Sequence, residues 1–178
     1  ARSFVGEQGF VYGIDFSKEM LKKARSNAIK LGYSNMKFIR GDIEAMPFES
    51  NKMDKVLSNC VLNLVPDKRK AFSEIFRVLK PEGSFCISDV VTVGNLPESM
   101  LKSAEMYAGC VAGAISKEEY IQLIKNSGFK DIHIHKEKEI VLPEDILSGY
   151  LNQDELKAFK ESQTGIYSIT ITAKKEVK

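Results

Sequence analysis

Five residues stand at the ends of short apolar runs, where an alternating strand and helix chain does its chemistry: Asp15, Asp42, Asn59, Cys60 and Asp89. In open parallel sheets a ligand sits beyond the carboxyl ends of the strands, so these positions are the first to question. Asp15 closes one run just before a helix start, where a carboxylate can accept both hydroxyls of a ribose. Its plainer reading is an acid at a helix entrance. Asp42, within Gly41-Asp42-Ile43-Glu44, follows the next run and could accept from an adenine amino group, or be a loop acid. No G-x-G-x-x-G occurs, and no glycine-rich turn joins a first strand to a helix, so the strongest nucleotide signature is missing.

The three cysteines, Cys60, Cys86 and Cys110, are odd in number and widely spaced, which fits reduced thiols serving as ligands, nucleophiles or core filler. Read alone, Cys60 and Cys110 are either a converging pair or two small buried hydrophobes. Cys86 lies inside an apolar run and is assigned to the core. His133 and His135 alternate on one face of a late strand with no third ligand nearby, which favours a solvated face over a metal site. The six methionines are read as core side chains.

Elements must hold these residues in place. Residues 10–15 form a short apolar run, as a buried parallel strand does. Ser17 reads as a helix N-cap. Met20, Leu21, Ala24, Ala28 and Leu31 then recur at helical spacing, and Gly32 supplies the stop. The alternation repeats with strand-like stretches at 36–40 and 55–58, then a helix over 67–79 that puts Ala71, Phe72, Ile75, Phe76 and Leu79 on one face. Pro81 and Gly83 are expected to end it. Residues 85–91 predict a central strand and 96–111 a helix. Ser116 and Glu119 form a capping box opening a helix that stops at Gly128. Residues 129–136 and 165–173 alternate apolar and polar side chains and predict late antiparallel strands, with a polar, partly helical stretch over 139–163 between them. Without repeats or a clear linker, residues 1–178 read as one α/β domain.

With 178 residues, 43% of them apolar, the chain can bury a core without a disulfide or metal staple. Its 26 basic and 24 acidic residues interleave to a net charge of +2, which argues against nucleic acid as a partner. No apolar run approaches the roughly 20 residues that span a bilayer, and the first residues lack a leader pattern. No membrane contact is expected, and a cytoplasmic location is.

Three stretches resemble the successive motifs of S-adenosylmethionine-dependent methyltransferases with a Rossmann-like fold: Tyr12-Gly13-Ile14-Asp15 with Ser17-Lys18-Glu19-Met20-Leu21, Gly41-Asp42-Ile43-Glu44-Ala45-Met46-Pro47-Phe48, and Phe76-Arg77-Val78-Leu79-Lys80-Pro81-Glu82-Gly83. Within that superfamily Ser58-Asn59-Cys60-Val61-Leu62-Asn63-Leu64, Ser88-Asp89-Val90-Val91 and residues 107–114 are similar to the arsenite methyltransferases. The two cysteine motifs separate them from the quinone-pathway C-methyltransferases. The resemblance implies a mostly parallel sheet with an antiparallel late strand, and S-adenosylmethionine as cofactor. It implies that Asp15 holds the ribose, that Phe16 and Gly41 belong to the cofactor site, and that Met20 packs near the adenine. Asp42 and Ile43 would line the adenine site, and Asn59 would lie near the methionine moiety. Cys60 and Cys110 match the pair that binds trivalent arsenic, presented free or as a thiol adduct, with a small-thiol or thioredoxin-type reductant as a further partner. Thiolates suit a soft centre. Trivalent arsenic carries a lone pair, so it can attack a sulfonium methyl without a base first removing a proton, and holding the two near contact is the main contribution.

The sequence departs from the family pattern at its start. Members begin with a strand and glycine-rich loop, and arsenite methyltransferases usually place another cysteine there. Residues 1–7 resemble the last turn of the helix after that loop, so the domain is expected to be incomplete at its N-terminus. The missing strand would lie between the strands ending at Asp15 and Ser58. The expectation is an opened sheet, direct pairing of those two strands, or completion by a strand-swapped homodimer. Three alternatives to arsenic methylation stay open: a small-molecule C- or O-methyltransferase of the quinone type, a non-catalytic thiol-binding fragment, and a remnant that binds neither ligand.

Overall fold

The computed structural model describes residues 5–94, 96, 111, 113–141, 147–149, 151–153, 156, 157, 159, 162 and 164–176. Strand β1 (Val11–Asp15) leads into helix α1 (Lys18–Lys30), which returns the chain to β2 (Met36–Arg40), parallel to β1 with Asp15 opposite Arg40. Ser17 caps α1 by accepting from the Met20 amide at 3.2 Å, and Gly32, at φ 67°, turns the chain out of the helix. Strand β3 (Met53–Asn59) pairs in parallel with β4 (Leu79–Val93) after a 3-10 turn (Leu62–Leu64) and helix α2 (Lys68–Val78), whose N-cap is Asp67. Helix α3 (Lys117–Asn126) opens on Ser116, whose hydroxyl accepts from the Glu119 amide, the N-cap half of the expected capping box. Strands β5 (Lys130–Glu139) and β6 (Gly165–Lys174) follow, with β6 antiparallel to both β4 and β5.

The strands make two sheets, β1-β2 and β3-β4-β6-β5, and among the described residues neither β1 nor β3 has a neighbour on its outer edge. Direct pairing of β1 with β3 does not occur. The far edge of the larger sheet, β5, is dressed with Lys130, Asp131, Lys136, Glu137, Lys138 and Glu139, whereas β1 carries only Asp15.

The core lies between the four-stranded sheet and helices α2 and α3. Phe72 meets Phe85 and the edge of Tyr120, and Phe129 meets Phe76 and Phe85. Each such side chain, fully buried, is worth about 1.5–3 kcal/mol. A second cluster joins Val90 and Ile166 to Val111, Leu147 and Leu151. The small sheet is less covered. On α1 only Leu21 and Ala28 are buried, while Met20 and Leu31 of the expected apolar stripe are exposed, because the helix has just two strands to lie on.

Two further expectations change. Helix α2 ends at Val78, before Pro81, and the chain passes directly into β4, where Leu79 pairs with Met53. Neighbours from the far end of the chain hold this crossing: the Glu82 amide donates to the Lys175 carbonyl and the Lys175 amide to that of Gly83. Cys86 is half-buried, since it alternates with fully buried Phe85 and Ile87 and faces the other side of β4. His133 and His135 are exposed on edge strand β5, beside Asp131 and Thr172 respectively, in keeping with a solvated face. The predicted helix over 96–111 falls largely outside the described residues.

Lys175 closes the end of α2. Its ammonium donates to the carbonyls of Phe76 and Leu79 at 2.7 Å and to Asn51 Oδ1 at 2.8 Å, and lies 4.6 Å from the centre of the Phe76 ring. A cation satisfying the last carbonyls of a helix is the favourable polarity. Lys175→Met keeps the stem and removes these bonds, and is expected to lower stability by about 1–2 kcal/mol in urea unfolding. An unchanged midpoint would show that the bonds add nothing beyond what water supplies.

Candidate functional site

Parallel register brings the strand ends together in two groups. In the small sheet Asp15 ends β1, and the Gly41 amide donates to its backbone carbonyl at 3.1 Å, so Asp42 follows at the same end. The half-buried Asp15 uses Oδ1 to accept from the Ser17 amide at 2.8 Å. Its Oδ2 has no partner among the described residues. Asp42 folds its own turn, accepting from the Glu44 amide at 2.9 Å. Phe16 and Met20, 76% and 52% exposed, offer apolar surface in the turns that follow Asp15. An acceptor for a diol, bordered by uncovered apolar side chains and a second carboxylate, fits the ribose and adenine of a nucleoside cofactor in donor set and polarity.

The larger sheet supplies the second group. Exposed Asn59 ends β3, and Cys60 follows with φ 52°, a left-handed backbone that non-glycine residues seldom adopt. Its amide donates to the Ser88 carbonyl at 2.9 Å, which ties the strained residue to β4 beside Asp89. Such conformations cost about 1–3 kcal/mol and collect at functional sites. Asn63, three residues on, is buried and donates to the Val90 carbonyl at 2.7 Å.

Behind Cys60 lies a buried polar pair absent from the sequence-derived site. The Tyr120 hydroxyl donates to Asp89 Oδ2 at 3.1 Å, and Asp89 Oδ1 accepts from the Val90 amide. Burial pushes the Asp89 carboxyl up to about 6, against these bonds and the charge of Lys68. Burial likewise raises the Tyr120 phenol, helped by the charges of Asp89 and Cys60, and lowers Lys68, opposed by Asp89 and Glu119. Asp89 reads in the sequence as an acid after an apolar run, but β4 continues to Val93 and Asp89 lies buried inside it. Lys68 and Tyr120 carry no such sign, because a helix lysine and a helix tyrosine read locally as surface and core.

Cys110 lies outside the described residues. The chain reappears at Val111, buried in the cluster with Val90, and at Gly113, where any side chain would run into the Asn63 carbonyl and crowd the Lys68 ammonium. Among the described residues no group of three His, Cys, Asp or Glu side chains could hold a metal, and no helix is long and apolar enough to cross a membrane.

Strand-end carboxylates on a parallel pair, with an apolar border and a thiol on the adjoining sheet, define a nucleoside-cofactor protein of the Rossmann-like class. The chain belongs to the methyltransferase-domain family, whose profile matches residues 1–128. It is 36% identical over 135 residues to an arsenite methyltransferase of Halobacterium salinarum, covering 76% of this chain and 34% of that one. It is 38% identical over 134 residues to the human arsenite methyltransferase, covering 70% of this chain and 36% of that one. It thus spans about a third of these relatives. The crystal structure of an arsenic (III) S-adenosylmethionine methyltransferase from Chlamydomonas reinhardtii superposes with a TM-score of 0.77 at 35% identity, over 94% of this chain and 56% of that one.

Proposed function

We propose that the chain carries the cofactor-binding and arsenic-binding residues of a methyltransferase that moves a methyl group from S-adenosylmethionine to trivalent arsenic. The observation that supports it best is the meeting of the two cysteine-bearing segments: Asn63, three residues after Cys60, abuts Gly113, three residues after Cys110. On this reading the two thiolates hold the arsenic and aim its lone pair. Asp15 accepts from the ribose hydroxyls, Phe16 and Met20 cover the adenine with Ile43, and Asp42 accepts from its amino group. Gly41 lets the chain pass closely beneath, since a side chain there would meet Ile14 and Pro47. Asn59 orients the methionine portion. The bound cofactor supplies an electrophilic sulfonium methyl. No residue has to remove a proton from the arsenic, so the protein's part is to position the nucleophile and exclude water. Free thiolates require a reducing compartment, which fits a cytoplasmic detoxification role with a small-thiol or thioredoxin-type reductant.

Calorimetry with S-adenosylhomocysteine and arsenite, each added alone, tests the reading. Asp15→Ala is expected to weaken S-adenosylhomocysteine roughly tenfold to a hundredfold, the loss of one or two hydrogen bonds to a charged acceptor, and to leave arsenite affinity unchanged. Equal cofactor affinity in both proteins would remove Asp15 from the site. No cofactor affinity in the unaltered chain would overturn the methyltransferase reading for it.

A further inference from the structure

The two halves of the proposed site stand on different sheets, with Asp15 and Asp42 on β1-β2 and Asn59 and Cys60 at the end of β3. No strand hydrogen bonds cross between these sheets among the described residues. Within the described chain the two halves are tied by other contacts. The chain between them, residues 41–52, is fastened to α2 at several points. Glu74 Oε2 accepts from the Met46 amide at 2.8 Å, and Arg77 Nη2 donates to the Met46 carbonyl at 3.0 Å. Together the two side chains give this peptide an acceptor and a donor, as a neighbouring strand would.

Arg77 Nη1 donates to the Phe48 carbonyl at 2.7 Å, and Glu44 Oε1 accepts from the Asp67 amide at 2.9 Å. The pair is itself locked, with Arg77 Nε 2.6 Å from Glu74 Oε1 and Nη2 2.8 Å from Oε2. Met46 is buried in the main core, and Tyr12 of β1 packs edge-on against Phe48 at 5.3 Å, so the fastened segment also touches the small sheet. We propose that Glu74 and Arg77 are positioning residues: they latch residues 42–48 to α2 and thereby hold the cofactor carboxylates in register with Cys60. The inference rests on the cofactor reading above, and extends it to two residues that touch neither ligand.

Arg77→Lys is the informative change, because it keeps the charge but replaces a planar fork of five N–H donors by a single ammonium. The latch predicts that the Met46 amide, followed by NMR hydrogen exchange, loses its protection while that of Ile87 in β4 is kept. It also predicts that S-adenosylhomocysteine binds roughly tenfold more weakly, about 1.4 kcal/mol, with arsenite affinity unchanged. Glu74→Gln gives a second variant, expected to loosen the Met46 amide in the same way if Arg77→Lys does not fold. Wild-type cofactor affinity in a variant whose Met46 amide exchanges freely would overturn the positioning role, as would a Met46 amide that stays protected. If the unaltered chain binds no S-adenosylhomocysteine, the cofactor reading fails on its own, and the latch is still decided by the Met46 exchange.

Discussion

Cys60→Ser is expected to reduce methyl transfer to arsenite by at least about a thousandfold, the scale seen when a group that holds the reacting atom is removed. Affinity for S-adenosylhomocysteine should stay within about twofold, since no cofactor contact is touched. The contrast follows from chemistry and geometry together. Serine is nearly isosteric, and the amide bond to Ser88 that holds residue 60 at φ 52° does not involve the side chain. The fold therefore has no reason to change. A hydroxyl is a hard, un-ionised oxygen and a poor ligand for a thiophilic centre. The assay is arsenite-dependent formation of S-adenosylhomocysteine, run beside calorimetry of the cofactor product. A serine variant that still methylates arsenite would sink the thiolate-ligand reading and favour an acceptor of the quinone type.

Asp89→Asn is expected to raise stability at pH 8 by about 3 kcal/mol and to flatten the stability profile between about pH 4 and 6. Burial holds the folded carboxyl at about 6, above its ordinary 3.8. Between those values the folded chain keeps a proton that the unfolded chain has released. Stability therefore falls as pH rises through the window, by about 1.4 kcal/mol for each pH unit, and stays at the lower level above it. Asparagine remains neutral, can accept from the Val90 amide and can donate to the Tyr120 oxygen, so the buried contacts persist.

Glu74 slopes the other way. Its bond with Arg77 holds the carboxyl below the ordinary glutamate range, so its contribution is present above that range and is lost as pH falls through the lowered value. Between about pH 5 and 6 only the Asp89 slope should be visible. Urea midpoints measured across pH 4–8 in both proteins decide it. A variant less stable at pH 8 would mean that Lys68 compensates the buried charge more than fully.

Much of the architecture could be read from local signals. Ser17, Asp67 and Ser116 cap helices through hydrogen bonds spanning three residues, and such bonds are written in adjacent sequence. The alternation along β6 likewise reports its own buried face. What escaped depends on distant partners. Pro81 reads as a break, yet β4 runs through it because Met53 and Lys175 border it from elsewhere in the chain. Met20 fits an apolar stripe, but a stripe cannot reveal that only two strands lie beneath it. Glu74 and Arg77 look like an ordinary helix-surface pair three residues apart, and only the fold shows the Met46 peptide between their charges. Asp15, Asp42 and Cys60 stand out in the sequence after apolar runs, and the fold does place them at or just beyond the ends of β1, β2 and β3.

Among the described residues, β1 has the least charged of the outer strand edges. Net charge gives only weak mutual repulsion at +2, so solubility rests on how individual edges are guarded. The β5 edge is guarded by alternating lysines and glutamates, and β3 by Asp54 and Lys55. On β1 the Val11 amide donates to the Asn35 carbonyl on the β2 side, and no charged side chain precedes Asp15, next to the exposed ring of Phe10. A strand of that composition accepts another extended segment readily. An added strand would therefore meet the small sheet at the five residues whose last is Asp15, the proposed ribose acceptor.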